Sequence, residues 1–396
     1  MKKFALLAML TAGTLSAQNL TLSPEQKAMA QSGNDFSFRF LQQIDKIEEG
    51  DWFVSPMSLQ FLLGVILNGA QKETAAEIAR TLGFEAGELE AINDYNRSML
   101  RLLPKLDPAT QLSIGSAVFV NAPYPLLKSY KKQVEKYYDA EVRNLDFQAE
   151  EASTKAINSW CSKQTQGLIP SVIDKVDPAI FAYLLNAIYF KGTWADKFNE
   201  RATEDRPFHR ADGSEKQVKM MEQERKFYYS ANDDFKMVRL PYGNSSFQMI
   251  ALLPQEGRTT ADVLAALDAE SWQTLRKRMD YVKVNLWLPR FETKYHIRLN
   301  DILTNMGMAR SFKPGANFKS MSLFADYLDF VQQDAIIKVD EKGSEAAAVT
   351  TAGVALATAV AVQPPVYEFH ADKPFLYLIV ESTTGSVLFA GEYTGK

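Results

Sequence analysis

From Ala346 to Val362 the chain reads AAAVTTAGVALATAVAV, seventeen residues without one charge and built almost wholly from alanine, valine and threonine. Such a run in a chain with 23% charged residues allows few structural fates. A membrane-spanning helix fits poorly, because alanine and threonine insert weakly, no cluster of basic residues flanks the run closely, and two strand-like segments follow it. A buried helix fits little better. Thr350-Thr351, Gly353 and the valines lower helix propensity, and Pro364-Pro365 end it. An extended strand is compatible with every position. Counting from Ser344, one face then carries Ser344, Ala346, Ala348, Thr350, Ala352 and Val354, all small and easily buried, while Glu345 stays on the opposite face. Parity therefore permits this ribbon to enter a sheet.

The remainder of the chain can bury a large core, since 46% of its 396 residues are apolar. Its formal charge of -4 is spread along the sequence, so nucleic acid is not an expected partner. Met1-Lys2-Lys3, the short apolar run Phe4 to Leu15, and Ser16-Ala17 before Gln18 have the layout of a secretory signal. Residues 1–17 are thus expected to be removed, leaving 18–396 as one domain in a secreted protein, extracellular or periplasmic. The single cysteine, Cys161, cannot form an intrachain disulfide and reads as a small buried residue next to Trp160.

Local patterns point to an α+β fold. Ser23-Pro24-Glu25-Gln26 combines an N-cap, proline at the first helical position and a reciprocal capping glutamine, and Phe36, Phe40, Leu41 and Ile44 continue with helical spacing. Later the period changes to two: Val282, Val284, Leu286 and Leu288 alternate with Lys283, Asn285 and Trp287. Phe247 to Leu253 and Phe375 to Val380 are continuously apolar, as strands covered on both faces should be, and Thr383-Thr384-Gly385 predicts a hairpin into Val387 to Tyr393. Enzyme signatures are missing. His209, His296 and His370 have no neighbours at metal-ligand spacing, and there is no phosphate loop, nucleophile elbow or dinucleotide fingerprint. No cofactor, no metal and no catalytic residue is expected.

Val339-Asp340-Glu341-Lys342-Gly343-Ser344-Glu345-Ala346-Ala347-Ala348 resembles the hinge of inhibitory serpins. The likeness extends over nearly the whole mature chain. Val54-Ser55-Pro56-Met57-Ser58-Leu59, Gly69-Ala70 with Glu73-Thr74, the run from Leu185 to Trp194, Leu288-Pro289-Arg290-Phe291, Leu303 with Gly307-Met308, and Asp372-Lys373-Pro374-Phe375 are all similar to landmarks of that family. The resemblance implies one domain with three β-sheets, about nine helices and an exposed reactive-centre loop spanning about residues 344–365. It further implies that a protease attacks the loop, forms an acyl-enzyme ester, and is dragged across the inhibitor as the cut loop enters the main sheet.

On that resemblance, hinge residues are Glu341, Gly343, Ser344, Glu345, Ala346, Ala347 and Ala348. Ser55, Ser58 and Asn186 would hold the sheet shut, with Trp194 near its top. Gln333 stands where histidine is usual; glutamine both donates and accepts, so the contact can survive without a histidine's pH response. Counting from Gly343 places the reactive bond at Ala357-Thr358, with Val354, Ala355 and Leu356 before it. The stretch after it is about three residues longer than usual, which leaves Thr358, Ala359 and Val360 as alternatives. No Lys or Arg occurs between Lys342 and Lys373, so a trypsin-like pocket has nothing to grip. Small and aliphatic residues suit elastase-like or subtilisin-like serine proteases, and Leu356 would suit a papain-like cysteine protease. The acidic stretch Glu85 to Glu90 predicts no heparin-like activator, and a monomer is expected. The rival class is a non-inhibitory binding or folding-helper protein on the same scaffold.

Overall fold

The computed structural model describes residues 17–85, 87–344 and 365–396. The expected signal region therefore lies outside the described residues, except for Ala17.

Ser23 caps helix α1 (Pro24–Asp45) as its sequence predicts: its hydroxyl accepts from Gln26 N at 3.2 Å, and Gln26 Oε1 accepts from Ser23 N at 3.0 Å. Helices α2 (Pro56–Gly69), α3 (Lys72–Leu82) and α4 (Leu89–Leu102) complete a mostly helical first quarter. Further helices are α5 (Lys128–Tyr138), α6 (Glu150–Gln164), α7 (Thr260–Ala265), α8 (Ala269–Lys277) and α9 (Asn300–Leu303), giving nine α-helices among the described residues.

Strands form two hydrogen-bonded networks. In the larger, β1 (Trp52–Val54) is followed by β15 (Val387–Tyr393), β14 (Phe375–Glu381), β8 (Phe247–Pro254), β7 (Phe235–Tyr242), β6 (Glu215–Ala231), β9 (Asp280–Pro289) and β13 (Tyr367–His370), while β5 (Glu204–His209) flanks the start of β6. The long β6 belongs to two layers, since Tyr228 to Ala231 pair with β7 whereas Met220 to Tyr229 pair with β9. The second network runs β10 (Phe291–Arg298), β11 (Gln332–Asp340), β12 (Gly343–Ser344), β4 (Ala182–Thr193), β2 (Gln111–Asn121) and β3 (Glu141–Leu145). Three sheet regions result, two of them joined through β6.

Their packing explains the sequence periods. Every residue of β8 and β14 is buried, because those strands are covered on both faces. Phe190 of β4 meets Phe247 of β8 and Phe389 of β15 at ring separations of 5.9 and 6.0 Å, joining the six-stranded sheet to the larger one. In the helical layer, Phe38 of α1 stands edge-on to Trp272 of α8, whose Nε1 donates to Gly385 O in the predicted hairpin. Each such ring contributes about 1.5–3 kcal/mol by leaving water. Helix α6 packs on the six-stranded sheet through Trp160 against Phe119, and places Cys161 in the same cluster. Burial pushes that thiol up to about 12, aided by the charge of Asp334, so it is neutral and unreactive at ordinary pH.

Candidate functional site

Strand β12 is two residues long, yet it is paired on both sides. Gly343 and Ser344 lie antiparallel to Asp340 and Val339 of β11, and to Thr193 and Gly192 of β4. Below that point β11 is bonded to β10 on its outer edge and β4 to β2, and among the described residues no ladder joins β11 directly to β4. The two strands are parallel to each other and, where β12 stands, one strand apart. Strand β12 thus fills the top of a seam between β11 and β4 whose lower part carries no ladder among the described residues.

The hinge is held in place by its neighbours. Gly343 has φ +147°, and a Cβ there would come within 2.1 Å of Gly192 O, so only glycine fits. Ser344 is 1% exposed and its hydroxyl shares a 2.7 Å hydrogen bond with the phenol of Tyr242. Tyr242 in turn stacks on Trp194 at 4.4 Å. Trp194 ties down the turn between β11 and β12, donating from Nε1 to Asp340 O and from its backbone N to Lys342 O, both at 2.9 Å.

Glu341 occupies the same turn, with its side chain only 4% exposed. It receives Arg290 Nη2 and, at 2.6 Å, the hydroxyl of Thr203, while Phe198 N donates to its carbonyl. Burial by itself would raise this carboxyl, but the hydrogen bonds from Arg290 and Thr203 outweigh it and hold Glu341 below its ordinary value.

Farther down the seam lie the other residues picked out from the sequence. Gln333 of β11 accepts from Ser55 N at 2.7 Å and donates to Ser55 O at 3.0 Å, using both ends of its amide as predicted. Ser55 caps α2, accepting from Ser58 N, and donates its hydroxyl to Leu388 O at 2.6 Å. The Ser58 hydroxyl is buried without a protein partner among the described residues. Asn186 belongs to the other flank: its Nδ2 donates to Gly115 O and to the Ser116 hydroxyl of β2, and its Oδ1 is left without a partner. Each flank is therefore bonded to its own side. Sequence reasoning missed Ser116, Tyr242 and Thr203, which carry no local signal, and read Arg290 only as part of a landmark.

Glu345, Ala346, Ala347 and Ala348 lie outside the described residues, as do Val354, Ala355, Leu356, Ala357, Thr358, Ala359 and Val360. The described residues resume at Pro365, two residues before β13.

A two-residue strand bonded at once to β11 and β4, with Gly343, Trp194, Tyr242 and Glu341 fixing the turn that leads into it, is the distinctive feature of this sheet. Comparison with known proteins gives the family. A family profile described as Serpin (serine protease inhibitor) matches residues 31–395, and the chain belongs to that family. Among its relatives, Serpin B6 of Macaca fascicularis is 33% identical over 376 residues, covering 92% of this chain and 99% of that protein. The leukocyte elastase inhibitor of Homo sapiens is 31% identical over 369 residues, covering 90% and 96%. The solved native structure of Tengpin, a thermophilic serpin, matches with a TM-score of 0.84 over 96% of this chain and 97% of that one; at 24% identity it shows the fold alone. Human thyroxine-binding globulin complexed with its hormone also matches, with a TM-score of 0.84 at 26% identity over 93% of this chain and 98% of that one.

Proposed function

We propose that the chain is a suicide-substrate inhibitor of proteases that cleave after small or aliphatic residues, serine proteases of elastase-like or subtilisin-like type and also papain-like cysteine proteases. One observation carries this reading: Ser344 is already buried in the seam with its side chain toward the core. Strand parity then sends Ala346, Ala348, Thr350, Ala352 and Val354 to the same face, where small uncharged side chains meet least resistance.

In the proposed reaction the protease nucleophile attacks the carbonyl of Ala357. An ester or thioester forms, the bond to Thr358 breaks, and the new amine leaves with a proton. The freed ribbon then enters between β11 and β4. From Gly343 to Ala357 it extends about 46 Å at ~3.3 Å per residue, carrying the tethered protease with it. Hydrolysis of the ester stalls because it depends on close placement of base and oxyanion donors, which this displacement distorts. Relatives named leukocyte elastase inhibitor support an elastase-like target. The chain is further proposed to act as a secreted monomer beginning at Gln18, without a polyanion activator.

Mixing the purified chain with an elastase-like protease tests the reading. A covalent complex that survives denaturant is expected, together with a C-terminal fragment of 39 residues starting at Thr358. Clean cleavage with no complex would instead favour the non-inhibitory binding role, a use of this scaffold to which the thyroxine complex of a relative testifies.

A further inference from the structure

We infer that the loop leading into β11 is a docking surface for anionic lipid, with Leu323 and Phe324 entering the membrane interface and lysines of α5 and of the loop itself meeting lipid phosphates. The inference stands whether or not the chain traps proteases.

Nine large apolar side chains are exposed among the described residues, and three of them fall within five consecutive positions: Leu323 at 66%, Phe324 at 57% and Tyr327 at 41%, the first two being the most exposed of all. Single apolar residues on a surface need no explanation, whereas a cluster does. The loop holds this cluster outward. Met321, Ala325 and Leu328 are buried and pin it from beneath, while Ala325 N donates to Ser322 O at 3.1 Å and Leu328 N to Ser311 O at 2.8 Å. Lys319 Nζ donates to Leu323 O at 2.9 Å, which closes the turn under the two exposed residues. Tyr124 flanks the tip, its ring 5.9 Å from that of Phe324 and 5.5 Å from that of Phe181.

Cations border the same tip. Leu127 N donates to Met321 O at 2.8 Å and Ser322 Oγ to Pro125 O at 2.9 Å, so the loop is tied to the start of α5. Lys128 and Lys132, four residues apart and therefore on one face of that helix, are both exposed, as is Lys131. With Lys319 they bring four ammonium groups to the edge of the apolar cluster. The nearby acids are already engaged: Asp326 accepts from Gly315 N and Asp329 from Phe181 N, both at 3.2 Å, and Glu135 lies 3.6 Å from Lys131 Nζ.

An apolar tip edged by cations fits a membrane surface of negative charge. Leucine and phenylalanine gain by leaving water, tyrosine rings sit well at the boundary of headgroups and chains, and lysine stems lie along apolar material while their ammonium ends reach phosphate. Each lysine near an anionic surface is worth about fivefold in partition. A protein partner would need a groove for the tip together with acids for the lysines, whereas a fluid anionic interface supplies both without a preformed shape. The docked orientation also leaves the hinge free. The loop enters β11 at Gln332 and the hinge follows its other end at Asp340, eight steps or about 26 Å away at ~3.3 Å per residue. A chain seated on Phe324 thus presents Gly343 and Ser344 on the side away from the lipid.

The mature chain is sedimented with vesicles of phosphatidylcholine, or of phosphatidylcholine mixed with phosphatidylserine, at 0.1 and 1 M salt, between which the Debye length falls from about 10 to about 3 Å. Wild type should pellet with the anionic vesicles and stay in solution with the neutral ones, and 1 M salt should weaken binding at least about fivefold. Leu323→Ser combined with Phe324→Ser should weaken it at least about tenfold, and Lys128→Gln combined with Lys132→Gln at least about fivefold. Lys277→Gln combined with Arg278→Gln, at exposed positions where α8 ends, should change nothing. Failure to pellet, equal pelleting with both kinds of vesicle, or a serine variant that binds as wild type overturns the inference. Self-association abolished by the serine pair, with no vesicle binding, would overturn it in favour of a second copy of this chain. Should the serine pair fold poorly, Phe324→Trp serves instead: its added emission should shift to the blue with anionic vesicles and not with neutral ones, and an unchanged spectrum counts against the lipid contact.

Discussion

A carboxylate almost sealed from solvent remains ionised only when donors surround it, and Glu341 meets that condition through Arg290 and Thr203. Its carboxyl is held below the ordinary value, so the stabilisation it provides is present above about pH 4.5 and is lost as pH falls further. Glu341→Gln should cost about 1–2 kcal/mol at pH 7, less than for a fully buried pair because Arg290 faces solvent, and less again at pH 3.5. Urea midpoints of both proteins at the two pH values would show it; an equal gap at both would contradict the assignment. Gln333 was readable in advance, since an amide that both donates and accepts can replace a histidine contact. The bonds of Asn186 were not. Its partners Gly115 and Ser116 come from a strand some seventy residues earlier, and nothing local announces that neighbour.

At the scale of elements the two ladders of β12 set a register. In the proposed inserted form, the same register continued along both flanks would bring Ala346 level with Phe190 and Ile337, Ala348 with Ile188 and Ala335, and Thr350 between Asn186 and Gln333. Ile188 and Ala335 are each 4% exposed, so a charge at position 348 would enter a dry site. Ala348→Glu should turn inhibitor into substrate: cleavage continues, but covalent complex falls at least about tenfold, as gel densitometry of complex against cleaved chain would record. Undiminished complex would mean the ribbon does not enter in this register. Insertion in that register would bring the Thr350 hydroxyl to Asn186 Oδ1, which lacks a partner among the described residues, and Thr350→Val should then lower the stability of the cut, inserted form by about 1 kcal/mol without altering the uncut one. Differential unfolding of the two forms reads this directly.

For the whole molecule, a finished insertion adds around ten ladder hydrogen bonds at about 0.5–1.5 kcal/mol net each, on the order of 10 kcal/mol. Nicking the bait should raise the melting temperature by at least about 10 °C in a circular-dichroism scan, and an unchanged melt would remove the mechanical basis of the proposed inhibition. Much of this architecture could be read from one dimension. The capping box of α1, the alternation in β9, the doubly covered β8 and β14 and the terminal hairpin depend on residues a few positions apart, and the physics that produces them is equally local. Strand order and register are not local, and they decided the rest. Only the folded chain could bring Glu341 to Arg290, Gln333 to Ser55, Ser344 to Tyr242 and His370 to Trp287, because each pair is separated by tens to hundreds of residues and meets through sheet pairings that hydrophobic pattern alone leaves degenerate.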